Sequence, residues 1–381
     1  MVRAEDRAPR RTQDRSVGLL LVSTTSLVLI GLAMVLSASS VSAFDRFGSS
    51  FLFFNRQLAY AVVGVIALRI TTRIRHTAWQ GLAVPLLVVT TGLLLLVLLP
   101  GLGKEAGGSA RWLAVGPVTV QPSELAKLAV VVFAAALLTR RLKEIRDPRA
   151  VLAPLAVVTA VVGGLILLQP DMGTAVIVLA SGFTLAFTAG ARLRHLVTAA
   201  AAAGVLGMGA IYAEGYRWAR FISFLNPWGD PQGDGYQTIQ SLIGLGSGGL
   251  FGVGLGAGRQ KWLYVPNAHT DFIYSIIGEE LGLIGALLVL ALFGTLIHAG
   301  IRIALRAPDT FGRLLAGGIT GWFGLQALIN LGAVTGLLPI TGVPLPFVSF
   351  GGSSLVVSLA AVGILTSIGR AGRGRTRARR G

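Results

Sequence analysis

An aspartate two residues beyond a histidine, where a polar loop meets an apolar run, is the arrangement in this 381-residue chain best suited to moving a proton. Asp271 follows His269 and Thr270 and opens an apolar stretch that reaches about residue 301. A carboxylate at a helix N-terminus is often only a favourable dipole partner or cap. At a membrane surface, beside an imidazole, it is also a candidate general base. Glu124 and Lys127 stand three apart, on one face of a helix that Pro122 opens and Ser123 is placed to cap. They form either a snorkelling interfacial pair or an ion pair drawn into the bundle, and intramembrane charge tends to mark function. Arg111 and Trp112 lie side by side in the glycine-rich stretch before that helix. The segment from Glu214 to Thr270 mixes Asp230, Asp234, Arg259, Lys261 and His269 with Tyr236, Trp262 and Tyr264. Loops of that length are uncommon unless functional. Glu279 and Glu280 are acids inside an apolar run. Neighbours on a helix point about 100° apart, so one of them at most faces a given cavity, in a structural or a proton-relay role.

These residues need elements to hold them, and the composition says which. Hydrophobic residues make up 53% of the chain, charged residues 13%, and the mean hydropathy is +0.73. No soluble fold of this size hides so much apolar surface, whereas a bilayer solvates it. Apolar runs at 17–38, 57–72, 80–100, 121–139, 150–168, 172–190, 195–213, 271–301, 311–338 and 352–369 predict about ten transmembrane helices. With the N-terminus inside, 24 Lys and Arg fall in cytoplasmic segments and 8 outside, Lys127 in the fourth run completing the 33. That asymmetry follows the positive-inside rule and gives N-in/C-in topology. The predicted organisation is a basic cytoplasmic tail at 1–16, a single all-α membrane domain at 17–369 and a second basic tail at 370–381. A large extracytoplasmic loop, 214–270, lies between helices 7 and 8. The net charge of +17 is thereby explained as topology, and a nucleic-acid partner is not expected. The tails serve topology or touch anionic headgroups. There is no cysteine, so neither disulfides nor thiolate metal sites are available. The stretch from Ser16 to Leu36 reads as a span rather than a cleaved leader.

Two outside segments cannot be plain helix. Residues 336–354 carry three prolines and a double glycine in apolar surroundings, a broken backbone suited to lining a cavity. Ile239 to Phe251 reads as a re-entrant or interfacial helix.

At these places the sequence resembles the SEDS family, the bacterial shape, elongation, division and sporulation proteins, and its division branch more than its elongation branch. The matching pieces are MVLSASS at 34–40, ARWLAVGPVTVQPSELAKL at 110–128, LQPDMGTA at 168–175, NPWGDPQGDGYQTIQSL at 226–242, YVPNAHTDFIYSIIGEELGLIG at 264–285 and GLLPITGVPLPFVSFGGSSL at 336–355. The resemblance runs from the first span to the last. It implies a ten-helix peptidoglycan glycosyltransferase of the bacterial cytoplasmic membrane, active on the extracytoplasmic face. Its substrate would be lipid II, an undecaprenyl-pyrophosphate-linked disaccharide-pentapeptide. A class B penicillin-binding protein would be its transpeptidase partner, alongside other division or elongation membrane proteins. The family's essential aspartate maps to Asp271, and its Glu/Lys pair to Glu124 and Lys127. The candidate substrate-binding set is Arg111, Glu124, Lys127, Asp230, Gln237, Arg259, Lys261, His269, Thr270, Ser349, Gly351 and Ser353.

In such a reaction Asp271 takes the proton of the attacking hydroxyl. Arg111, Lys127, Arg259 and Lys261 are candidates to stabilise the departing pyrophosphate, although Lys127 is also the partner of Glu124. A divalent cation, Mg²⁺ or Mn²⁺, is an open alternative for that role, and no ligand set of diagnostic spacing names one. Two other classes remain: a lipid II transporter, which needs polar groups spread through the membrane depth, and a noncatalytic scaffold. The charges cluster at the outer rim, which favours the enzyme.

Overall fold

The computed structural model describes residues 8–378 except 107–108, 117, 146 and 263–267. Tyr264 and the arginines Arg3, Arg7, Arg146, Arg379 and Arg380 therefore lie outside the described residues. The ten apolar runs form ten helices: α1 (Ala8–Phe47), α2 (Leu52–Arg73), α3 (Ala78–Leu98), α4 (Pro122–Arg140), α5 (Leu152–Leu167), α6 (Met172–Thr188), α7 (Leu193–Tyr212), α10 (Ile273–Leu305), α11 (Thr310–Val334) and α12 (Gly352–Ala378). Eight are long and apolar enough to cross a membrane, and α5 and α6 are shorter apolar helices. The chain is a multi-pass helical membrane protein.

Three departures from the sequence reading have local causes. The stretch before α4 folds into a three-stranded antiparallel sheet of β1 (Gly103–Ala106), β2 (Ser109–Val115) and β3 (Val118–Val120). On β2, Arg111 and buried Leu113 share a face by the two-residue period of a strand. The loop 214–270 contains two helices, α8 (Gly215–Leu225) and α9 (Tyr236–Ser247), of which α9 overlaps the stretch read as re-entrant or interfacial. It is sewn to the bundle: Ser241 Oγ donates to the Val334 carbonyl, and Ser275 Oγ donates to the Ser241 carbonyl. Finally, α11 stops at Val334 rather than 338. Gly336 takes φ +72°, and the Leu337 and Leu338 amides turn back onto the Gly332 carbonyl, a left-handed helix stop before Pro339.

α4 is the packing centre. It touches α3, α6, α11 and α12 and buries almost every side chain, charged Glu124 and Lys127 included. At the other extreme, α7 buries only Leu196.

α10 is broken at Gly282, where φ +67° and ψ −166° lie in a region essentially reserved for glycine. The break frees backbone groups that the glycine-rich segment satisfies. Val253 and Gly254 amides donate to the Glu279 and Glu280 carbonyls, and Leu283 and Ile284 amides donate to the Gly249 and Leu250 carbonyls. A Cβ at 282 would collide with the Gly252 nitrogen and the Leu250 carbonyl oxygen. Gly282→Ala is therefore expected to cost about 3 kcal/mol, from backbone strain plus the clash. Thermal unfolding in detergent should register it as a lowered midpoint. An unchanged midpoint would mean that the break is incidental.

Candidate active site

Asp271 sits two residues before α10, on a turn running from Ala268 to Phe272. The cap position of α10 is Phe272 and no side chain bonds there, so the Asp271 carboxylate is not employed as a helix cap. The turn is fixed from α11, where Asn330 Nδ2 donates to both the Asp271 and Val343 carbonyls at 2.8 Å. One turn earlier on that helix, Gln326 Nε2 donates to the Pro344 carbonyl. Gln326 Oε1 also accepts from Lys127 Nζ at 2.9 Å and from Trp322 Nε1 at 2.8 Å. Trp322, Gln326 and Asn330 recur every four residues, so they form one polar stripe on a helix. This stripe ties Asp271, the broken segment 336–351 and the Glu124–Lys127 pair into one unit.

The pair itself is fully inside the bundle. Lys127 Nζ lies 2.9 Å from Glu124 Oε1 and 2.8 Å from Oε2, with Trp322 beneath the ammonium at 5.3 Å. The structure thus decides the question of surface snorkel or buried pair for the second. It also gives Ser123 a role other than capping. The cap position is Gln121, and Ser123 Oγ points at Asp171 Oδ2 at 3.5 Å.

Asp171 is the acidic residue that reasoning from sequence alone did not select. It caps α6, accepting from the Thr174 amide at 3.1 Å, and Gln121 Nε2 reaches its other oxygen at 3.4 Å. Beside it, Arg111 donates through Nε to the Gln169 carbonyl and through Nη2 to the Pro170 carbonyl. Around Asp271, then, are a second carboxylate and two guanidiniums, Arg111 and Arg220.

Their effect on Asp271 can be ordered. Loss of water is the largest influence and pushes its carboxyl up to about 6. Repulsion from Asp171 pushes the same way, and Arg111 and Arg220 pull back. The side chain is half-buried, and among the described residues nothing donates a hydrogen bond to its carboxylate. Gly342, from the broken segment, lines it: a Cβ there would come within 3.6 Å of Asp271 Oδ2.

His269 does not serve as a second charged group. Burial and the Arg46 charge push its imidazole down to about 4, so it is neutral near pH 7. Its ring packs between Phe53 and Phe350, and its carbonyl accepts from the Phe350 amide.

The remaining candidates separate. Lys261 is withdrawn from the phosphate role: it is buried and bound to Glu280 Oε1 at 3.0 Å, while Ser37 Oγ donates to the same carboxylate. Both adjacent acids therefore face one segment. Glu279 accepts from the Arg259 and Gln260 amides, and Glu280 from the Gly256 amide. The Arg259 side chain is exposed, as is Asp230, which stitches its own loop through the Gly233 and Asp234 amides. Ser349, Gly351 and Ser353 hold the broken segment in shape. Ser349 Oγ accepts from the Leu345 amide, the Gly351 amide donates to Gln57 Oε1, and Ser353 Oγ accepts from the Gln121 amide. Thr270 is half-buried on the Asp271 turn, and Gln237 lines a pocket between α8 and α9. Among the described residues no group of three or more His, Cys, Asp or Glu could hold a metal ion.

Comparison with known proteins agrees across the whole chain. A family model for FtsW, RodA and SpoVE, described as cell cycle proteins, matches residues 18–374. Stage V sporulation protein E of Bacillus subtilis is 45% identical over 364 residues, covering 94% of this chain and 98% of that protein. A probable peptidoglycan glycosyltransferase FtsW of Trichlorobacter lovleyi is 44% identical over 362 residues, covering 95% of each. Among solved structures, a chain of a peptidoglycan synthase complex that coordinates polymerization and crosslinking superposes with a TM-score of 0.76 at 32% identity, covering 93% of this chain and 97% of that one. The rod shape determining protein RodA of Thermus thermophilus gives 0.67 at 30% identity, covering 92% and 95%.

Proposed function

Since the chain belongs to the FtsW/RodA/SpoVE family of cell cycle proteins, we propose that it is a peptidoglycan glycosyltransferase. It polymerises lipid II into glycan strands at the outer face of the bacterial cytoplasmic membrane during division, with a class B penicillin-binding protein crosslinking the product. The observation that carries this reading is the Asp271 carboxylate, half-buried, without a hydrogen-bond donor among the described residues and with its pKa pushed up to about 6. At pH 7 such a group is about ten to one ionised yet basic enough to accept a proton in the transition state.

The acceptor hydroxyl oxygen attacks the anomeric carbon of the donor sugar and the carbon–oxygen bond to the pyrophosphate breaks. The hydroxyl proton passes to Asp271. The polyprenyl pyrophosphate departs toward Arg111, whose guanidinium stabilises its growing charge. A relative assigned to a synthase complex that joins polymerization to crosslinking supports the partner. Several relatives named FtsW at 41–44% identity over more than 90% of the chain support the division reading.

The buried pairs bear on the transporter alternative. Glu124–Lys127 and Glu280–Lys261 both lie near the starts of their helices, α4 and α10, rather than along the depth of the bundle. A route for a polar headgroup across the membrane needs the latter.

The pH profile follows from the sign of the shift. Polymerisation of purified lipid II by the partner-bound protein should fall as pH drops through about 6, where Asp271 takes up its proton. A profile flat through that point would remove Asp271 as the base. Wild type that yields no polymer, but moves lipid II across liposomes, would replace the enzyme by a transporter.

A further inference from the structure

The proton transfer at Asp271 makes no use of a concavity formed by the loop 214–270. α8, α9 and the loop between them, with Ile340 from the broken segment, enclose a pocket of ≈ 210 Å³. Ile340 stands two residues before Gly342, which lines the Asp271 carboxylate, and Arg220 on the pocket wall is one of the cations acting on Asp271. Pocket and carboxylate therefore share one neighbourhood. The α9 wall is fixed, because α9 is sewn to α10 and α11 through Ser241 and Ser275.

The chemistry of the lining narrows the occupant. Arg220 and Asp234 contribute one charge of each sign, so the wall is a poor match for a pyrophosphate, which needs several unopposed donors. Gln237 offers both an amide donor and an acceptor, and Tyr236 and Phe224 offer ring faces with one hydroxyl. Mixed amides, hydroxyls and aromatic faces suit a neutral ring rich in hydroxyl and acetamido groups. The volume falls below the ~300 Å³ at which drug-sized sites begin, which is the scale of a single sugar.

We propose that this pocket is a sugar subsite, holding one N-acetylhexosamine ring of the lipid-linked disaccharide next to Asp271. The inference rests on the glycosyltransferase reading, and adds Arg220, Phe224, Asp234 and Tyr236 to Gln237 as residues that select and place the substrate.

The test compares wild type with Gln237→Leu and Asp234→Asn in partner-bound protein, each first shown to be folded by its melting curve. Removing the Gln237 amide should raise KM for lipid II about tenfold and leave kcat within about threefold. A merely structural role would instead lower the melting midpoint and kcat together. The lipid-free N-acetylglucosaminyl-N-acetylmuramyl pentapeptide should compete with lipid II on wild type, and about tenfold more weakly on Gln237→Leu. Lipid II capped on its terminal 4-hydroxyl acts only as donor and assigns the ring. Incorporation of the capped unit at glycan ends weakened in the variant means a donor sugar, and incorporation unchanged alongside the raised KM means an acceptor sugar. Either supports the subsite. Unaltered KM and unaltered competition in both folded variants overturn it. Should wild type make no polymer, the glycosyltransferase reading fails. Equilibrium dialysis of the labelled disaccharide pentapeptide then judges the pocket separately: binding lost in Gln237→Leu keeps it, and equal or absent binding overturns it.

Discussion

Asp271→Asn is expected to lower lipid II polymerisation by about 10²–10⁴-fold and, at pH 7, to melt at a higher temperature than wild type. Both effects come from one environment. The carboxyl is pushed from 3.8 to about 6 by burial and by Asp171, so the folded state holds its proton more tightly than the unfolded chain does. Ionising it therefore costs stability. That cost is absent below the unfolded value, grows as pH rises from about 3.8 to 6, and is complete above. It amounts to no more than about 3 kcal/mol, reduced by the partial exposure of the group. Asparagine removes the charge and, since nothing among the described residues donates to the carboxylate, forfeits no hydrogen bond. Glycan ladders and melting curves at pH 7 read the two effects independently. Undiminished ladders would relieve Asp271 of its role, and a lower melting point would reveal a stabilising partner for the carboxylate.

Lys127→Met should be the most damaging single change in the bundle core. It strands the Glu124 carboxylate in a site that excludes water, and breaking a buried pair from one side typically costs about 3–5 kcal/mol. It also removes the donor to Gln326, and with it one support of the Pro344 carbonyl and the broken segment. Adding Glu124→Gln to Lys127→Met removes the stranded charge and should restore most of the stability, though not the activity. The difference between the sum of the single changes and the double change gives the coupling directly. A single Lys127→Met variant that melts like wild type would mean that water or a relaxed side chain already screens Glu124.

The helices were legible because a bilayer imposes both length and composition. The run read at 80–100 is Ala78–Leu98, and that at 121–139 is Pro122–Arg140. Asp271 and the Glu124–Lys127 pair were visible because an uncommon charge stood in an apolar or boundary context. What escaped depends on the partner rather than on the local sequence. Lys261 looked like a phosphate ligand, since nothing near it in sequence announces Glu280, 19 residues away, as its counter-charge. Asp171 read as part of a QPDMG motif, and only the fold carries it next to Asp271. The strands β1 and β3, of four and three residues, are too short to show an alternating pattern. Gln326 and Asn330 did leave a signal: two amides one turn apart in an apolar span, below Trp322, have to be satisfied inside the bundle.

The break at Gly282 also bears on how this protein can vary. Surface connections ordinarily gain and lose residues freely, and the glycine-dense stretch after α9 looks permissive. Yet it is clamped at two places. Residues 249–254 pair with the interrupted backbone of α10, and the Lys261 ammonium is fixed on Glu280. The span from Gly249 to Lys261 is thus a ruler cut to one length. Insertions and deletions should be rejected within those thirteen positions, so descent can rewrite the letters of this segment far more easily than its count.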